Sequence, residues 1–376
     1  MRLTPVNLTT PLGLTVAGRP AAIGISRLLI CSWEPGPSPM RIATFNLENL
    51  GSRLDRPDDF QYRMSILRPQ MERLEADILC LQEVNATREK PGTDRRLVAL
   101  DRLLEGTAYQ AFHRVSSRHP ATGAPAEHHN LVILSRWPIA ASTQVHHDFV
   151  RPPVHVYATA DPLRAGAPAI AFDRPILYGR IAPPGLPDLH AINVHFKAPL
   201  AASVPGQKLD PLSWKSTGAW AEGFYLAGLK RAGQALEARL FVDRLLDADP
   251  QAHILVAGDF NAGEREVPAR IIAADLEDTG NGRLADRMLV ALSHGLSESR
   301  RFTVVHRGRK VMLDHLFASR PLVARFQSIE IHNEALGDEL VGYSTIGDSP
   351  ESYHAPVVAQ FRPAVPAPAS GADTDR

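Results

Sequence analysis

The sequence predicts a mixed α/β (α+β) fold in layers. Apolar, β-rich runs recur along the whole chain and alternate with helical periodicities, without the sustained strand–helix–strand order of a doubly wound sheet. Hairpin spacings are frequent. The chain has 376 residues and 44% hydrophobic content, enough to bury a large core. No Gly/Ser linker or charge block divides its middle, so one domain with decorated loops is expected.

The elements follow in order. A strand is expected at 41–46, then a helix near 61–74 with Met64, Leu67, Met71 and Leu74 at helical spacing. A strand at 77–82, a helix near 94–104 and a polar loop at 116–129 precede a strand at 130–135. Strands near 176–182 and 189–196 make a hairpin across Pro183, Pro184 and Gly185. A loop carrying Lys197, Lys208, Trp214 and Lys215 leads to the longest helix, near 219–248. A strand at 253–258, a helix near 267–274, strands near 301–306 and 311–318 and a last strand at 355–361 complete the series.

The ends read differently. Residues 1–39 form an expected disordered extension: the apolar run around Ala21–Cys31 is interrupted by Arg27 and lacks a small-residue cleavage site. Residues 363–376 are rich in Pro, Ala and Asp and read as a disordered tail, which leaves 40–362 as the domain. No stretch approaches 18 uncharged apolar residues, so no membrane span is expected, and the reading places the chain in the cytoplasm. Lys+Arg and Asp+Glu both total 41, a balance that argues against a general duplex-DNA binder, which is expected to be basic. Cys31 and Cys80 do not make a disulfide scaffold, and Cys80 reads as core packing.

The chemistry lies at the strand ends. After Ile254, Leu255, Val256 and Ala257 the chain turns polar at Asp259 and Asn261, two residues apart and so on one strand face. A carboxylate buried there needs a cation, a hydrogen-bonding partner or a water to receive it, unless it only caps a turn. The pattern repeats at Asn46 with Glu48, at Glu83, at Asn193 with His195, at Asp314 and at His354. Polar groups inside six apolar runs are expensive, and convergence on one pocket is the economical explanation.

These segments read T-F-N-L-E (44–48), L-Q-E-V (81–84), N-L-V-I-L-S-R-W-P-I (130–139), N-V-H-F-K (193–197), G-D-F-N (258–261), L-D-H (313–315) and S-x-H-A-P-V (352–357). In that order they resemble the endonuclease/exonuclease/phosphatase superfamily, the metal-dependent phosphoesterases related to DNase I. The resemblance runs from Met40 to Phe361 and implies a DNase I-like four-layer α/β/β/α sandwich of two mixed sheets, with the active site where loops leave both sheets.

It also implies roles. Glu83, with Asn46 beside it, resembles the metal carboxylate, and hard oxygen ligands suit Mg2+ or Mn2+. His354 corresponds to the general base and Asp314 to the group that orients it. His195 resembles the histidine that donates toward a phosphoryl or leaving oxygen. Asp259 aligns water or metal, and Asn261 bonds phosphate. Asn193 and Lys197, two residues either side of His195, share its expected face and read as substrate-binding. Glu48 reads as a surface or turn residue, with an extra metal ligand as the alternative, His315 as structural, and the pairs His128–His129 and His146–His147 as loop decoration. Arg300, Arg301, Arg307, Arg309 and Lys310 form a cationic hairpin, at a rim that also suits phosphate.

One departure stands out: many members carry Asp before the last histidine, where this chain has Tyr353, so a second metal is in doubt and Asp348 or Glu351 are substitutes from the preceding loop. The expected activity is phosphodiester hydrolysis, nuclease-like, on nucleic acid, nucleotide or phospholipid headgroup. The alternatives are a phosphomonoesterase, a headgroup hydrolase, or a non-catalytic binding module on the same scaffold.

Overall fold

The computed structural model describes residues 38–363, apart from 91, 164, 212 and 346–349. The expected extension before residue 38, the tail after 363 and Asp348 lie outside the described residues. Strands run in the order β1 Met40–Leu50, β2 Ile78–Val84, β3 His113–Ser116, β4 Asn130–Ser135, β5 Ile139–Val145, β6 Ile176–Ile181, β7 Leu189–His195 and β8 His253–Asp259. Then come β9 Leu289–Ala291, β10 Val304–His306, β11 Arg309–Val311, β12 Asp314–Ser319, β13 Phe326–Ile331 and β14 Val357–Phe361. The main helices are α1 Pro57–Arg73, α2 Val98–Leu104, α3 Thr217–Ala248 and α4 Val267–Ala273.

Two six-stranded sheets result, ordered β13-β14-β1-β2-β4-β3 and β5-β6-β7-β8-β12-β9. Each is mixed: β1 and β2 are parallel in the first, β7 and β8 in the second, within otherwise antiparallel neighbours. Alternation along the strands explains the layering. Ile42, Ile78, Cys80, Leu255 and Ala257 point into a core shared by the two sheets. Ala43, Phe45, Leu79 and Leu81 face the other way, onto Phe60, Met64 and Leu67 of α1 and Leu100 of α2. Ile254 and Val256 pack on Ala238 and Val242 of α3 and Ile272 of α4. These strands are buried on both faces, which is why they read as unbroken apolar runs. Cys80 lies in the inter-sheet core, where burial pushes its thiol up to about 12.

The central strands match the sequence expectations closely. The edges β3, β5, β9 and β13 do not appear among those expectations, because edge strands are half solvated and carry no apolar run. The expected strand at 311–318 divides: Val311 ends β11, which pairs with β10 as a two-stranded hairpin turning at Arg307 and Gly308, and β12 begins at Asp314. Two register shifts, between Asn46 and Leu50 and between Leu81 and Val84, bend the first sheet at its site end.

Candidate active site

The ends of β1 and β2 meet the ends of β7, β8 and β12 from the facing sheet, with the loop before β14 closing the group. Asn46 spans the two sheets: its amide donates to Glu83 Oε1 (3.2 Å) and to Asp259 Oδ2 (3.0 Å). His195 Nε2 lies 3.4 Å from Asp259 Oδ2 and 3.6 Å from Glu83 Oε1. His354 Nδ1 bonds Asp314 Oδ2 at 2.8 Å, and Ser352 holds the loop by donating to the Asn46 carbonyl (2.8 Å). The structure thus brings together Asn46, Glu83, His195, Asp259, Asn261, Asp314 and His354. Glu48 belongs here as well, receiving the Tyr353 backbone N–H (2.7 Å).

The backbone at these residues is held in an uncommon conformation. Glu48, Asn49, Glu83, His129 and Asn261 all have positive φ, between 45° and 58°. Non-glycine residues in that region concentrate at functional sites and persist only where neighbours fix them. Here the Asn49 N–H donates to Glu83 Oε2 (3.0 Å), tying two of the strained residues together.

Burial and charge perturb the ionisable groups. Asp259 is pushed up to about 7, first by burial and then by the nearby Asp314 carboxylate, with Glu83 adding to it. Burial disfavours the His354 imidazolium, but Asp314, Asp259 and Glu48 outweigh it and raise His354 well above the ordinary histidine value. Burial, then Arg174, takes His195 well below it.

The donor set fits a divalent cation. Glu83, His195 and Asp259 offer ligand atoms within 4.8 Å of one another, as do Asp259, Asp314 and His354. Buried carboxylates crowded at this spacing repel unless a cation sits among them, and oxygen-rich donors suit a hard ion. Asn46 Oδ1 already accepts the Glu48 N–H (2.9 Å), so its carbonyl is shared.

Several residues depart from expectation. Asn261 meets Asp259 through a turn and not through the strand pleat: β8 ends at Asp259, whose Oδ1 accepts the Asn261 N–H (2.8 Å). Its side-chain amide donates to Asp259 Oδ2 (3.0 Å) and the Phe196 carbonyl (3.1 Å). The substrate-binding expectation for Asn193 is corrected by depth. One pleat inside His195 and fully buried, Asn193 donates to the carbonyls of Leu81 (3.0 Å) and Val132 (2.9 Å) beside the β2–β4 register shift, and accepts from Gln82 (2.7 Å). It pins one sheet to the other. Lys197 lies past the end of β7, and its ammonium turns to Asp173 (3.4 Å).

His129 is not loop decoration. Arg174 donates to its Nδ1 (2.7 Å), and a guanidinium cannot accept, so Nε2 carries the hydrogen toward Asn49 Oδ1 (2.9 Å). Burial and then Arg174 lower His129 to about 4, which keeps it neutral. Arg174 is a site residue that the sequence reading missed. Its guanidinium faces Glu83, Asp173 and Asp259, and its buried Nε has no partner among the described residues. The local signal was the charged pair Asp173–Arg174 at the mouth of β6. His315 packs edge-on against Phe260 and tilted beside Phe317, and its Nε2 pairs with the Ala262 carbonyl. His146 and His147 tether their loop to Phe172, and Trp214 packs against Gly223 of α3.

A sandwich of two mixed sheets with an acid–histidine hollow at their shared end defines a phosphoesterase-type scaffold. The chain belongs to the Endonuclease/Exonuclease/phosphatase family, whose model matches residues 43–348. Members are in general phosphoester hydrolases. The fold is similar to that of an endonuclease/exonuclease/phosphatase from Bacteroides vulgatus, at 16% identity over 87% of this chain and 99% of that one, with a TM-score of 0.50. It is also similar to truncated TDP2 from Caenorhabditis elegans (15% identity, 86% and 98% covered, TM-score 0.49). A third likeness is to an AP endonuclease from Archaeoglobus fulgidus (16%, 86% and 99%, TM-score 0.42). No curated protein matches the chain. Among the described residues, no helix is long and apolar enough to cross a membrane.

Proposed function

We propose that the chain hydrolyses phosphodiesters with the help of a divalent cation, Mg2+ or Mn2+. The observation that carries this is the meeting of Glu83 from one sheet with His195 and Asp259 from the other, their ligand atoms within 4.8 Å of one another, with Asn46 bonded to Asp259 across the sheets and Asp259 shared with a second such group, Asp314 and His354. Glu83 and Asp259 would hold the cation. When bound, it offsets the negative charge that grows on the phosphoryl oxygens.

The remaining work falls to side chains. His354 takes a proton from the attacking water through Nε2, and Asp314, bonded to Nδ1, fixes the tautomer and stabilises the imidazolium that forms. His195, kept neutral by its surroundings, has Nε2 to donate toward a phosphoryl or leaving oxygen. Arg174, whose charge acts on Glu83 and Asp259, adds positive charge beside the place a phosphoryl group would take. Asn261 holds Asp259 in place in this state and is available to phosphate once either of its bonds opens.

The test is hydrolysis of bis-p-nitrophenyl phosphate with Mg2+ or Mn2+, in the wild type and in Glu83→Ala and His354→Ala. We expect each variant to lose about 100-fold or more in rate, in line with removing a positioned acid–base or metal group. Wild-type rates in both would defeat the assignment.

A further inference from the structure

Next to the hollow a groove of about 450 Å3 lies between the segment leading into β6 and the α3 helix. Tyr157, Phe172, Asp173, Lys197, Ser203 and Lys230 line it. Lys230, from α3, donates to Asp173 Oδ1 (2.5 Å), and Lys197 Nζ lies 3.4 Å from Asp173 Oδ2. Both lysine side chains are mostly withdrawn from water, at 18% and 21% exposure. Among the described residues Asp173 is the only acid paired with either. Two ammoniums offer six N–H donors to one carboxylate, so a positive charge and several donors are left over. Partly desolvated cations in that position are stabilised by a further anion.

The charges are sorted across the site. Glu48, Glu83, Asp259 and Asp314 gather on the side suited to a cation, whereas Lys197 and Lys230 line the groove, with Arg174 between the two groups and acted on by Glu83, Asp259 and Asp173. The groove wall is also preformed. Ala160, Ile170, Val204 and Leu226 make a small core of their own beneath it. Glu222 of α3 accepts hydrogen bonds from Ala158 N (2.7 Å), Thr159 N (2.9 Å) and His155 Nε2 (2.7 Å), fixing the stretch that carries Tyr157. A wall ordered in advance costs little to order on binding.

We propose that this groove receives a second phosphate of the same substrate, beside the one being cleaved, with Lys197 and Lys230 as its donors and Asp173 as the internal counter-ion they share. The inference rests on the phosphodiester reading for the first phosphate. The ligand chemistry is a pair of neighbouring phosphates, as in successive links of an oligonucleotide or in a phosphorylated headgroup.

The experiment measures binding, by calorimetry at low salt in EDTA so that nothing is cleaved. The thymidine dinucleotide d(TpT) is compared with d(pTpT) and d(TpTp), and glycerophosphoinositol with glycerophosphoinositol 4-phosphate. The added phosphate should tighten binding about tenfold in at least one pair, as charge-assisted hydrogen bonds imply. The pair that responds identifies the source. Lys230→Ala should abolish the gain, Lys230→Arg should keep it, and Asp173→Asn should enlarge it by freeing both ammoniums. Three results would overturn the proposal: no gain in either pair, a gain that survives Lys230→Ala, or a loss in Asp173→Asn. Failure of bis-p-nitrophenyl phosphate hydrolysis would count against the proposed activity alone, because this readout does not depend on turnover.

Discussion

Asp314 is buried, and its Oδ2 takes the Nδ1–H of His354 at 2.8 Å. Its carboxylate does two things to the imidazole: it fixes which nitrogen is bare, and it favours the protonated form. A base must be neutral to act, so the rate should rise with pH through the His354 pKa, which lies above the ordinary histidine value. Asp314→Asn removes the charge that raises it. The acid limb of the pH–rate profile should then move down by about one unit or more. The plateau should fall by roughly 10³- to 10⁴-fold as the tautomer is lost. A profile whose acid limb stays put sinks the base–orienter pairing. Glu83 and Asp259 stood out in the sequence because each polar residue interrupts an apolar run, whereas the pairing of Asp314 with His354, 40 positions apart, came only from the family resemblance. Arg174 and His129 were legible in neither way. Each enters the site from a loop at the mouth of a strand, and only the folded chain brings the guanidinium to the ring.

At the scale of elements, the parallel pair β7 and β8 delivers two of the site's side chains in register, His195 opposite Asp259. That closeness depends on Gly258. Its φ is 143°, and an added Cβ would sit 1.9 Å from the Val194 carbonyl oxygen on the neighbouring strand. Gly258→Ala must therefore strain its own backbone and push the strands apart at the point where they supply the site. We expect a destabilisation of about 3 kcal/mol or more, from combined strain and overpacking. Chemical denaturation reports it as a lower midpoint, and an unchanged midpoint contradicts the packing. The glycine of G-D-F-N was visible in the sequence, whereas its reason was not, since the clash involves a strand 64 positions away (258 − 194). Strands buried on both faces announce themselves by composition, but β3, β5, β9 and β13 sit at sheet edges and need only half an apolar pattern. The same limit explains Asn193. Its strand face follows from the period of two, but its depth depends on the bulge opposite it in the other sheet.

The whole molecule joins its two sheets at a cluster of acids, and that junction links stability to pH and to metal. Asp259 titrates near 4 when unfolded and at about 7 when folded, so between those values the folded chain binds more protons. Its contribution is therefore stabilising at low pH and is lost as pH rises through 7. His354, also raised by folding, acts in the same sense: its stabilising contribution is present below the ordinary histidine pKa and fades as pH passes its folded value. A divalent cation binds the deprotonated carboxylate and competes with those protons. The stability it adds should accordingly grow with pH. At about 100 times its dissociation constant, a bound ion contributes about 2.7 kcal/mol, enough to raise Tm by roughly 3 °C or more in a domain of this size. Thermal unfolding in EDTA and in Mn2+, taken at intervals from pH 5.5 to 8, should show a Tm difference that is small at the acid end and largest at the alkaline end. A difference that is flat or shrinks with pH means that the ion binds somewhere other than at Glu83 and Asp259, and the phosphoesterase proposal loses its metal.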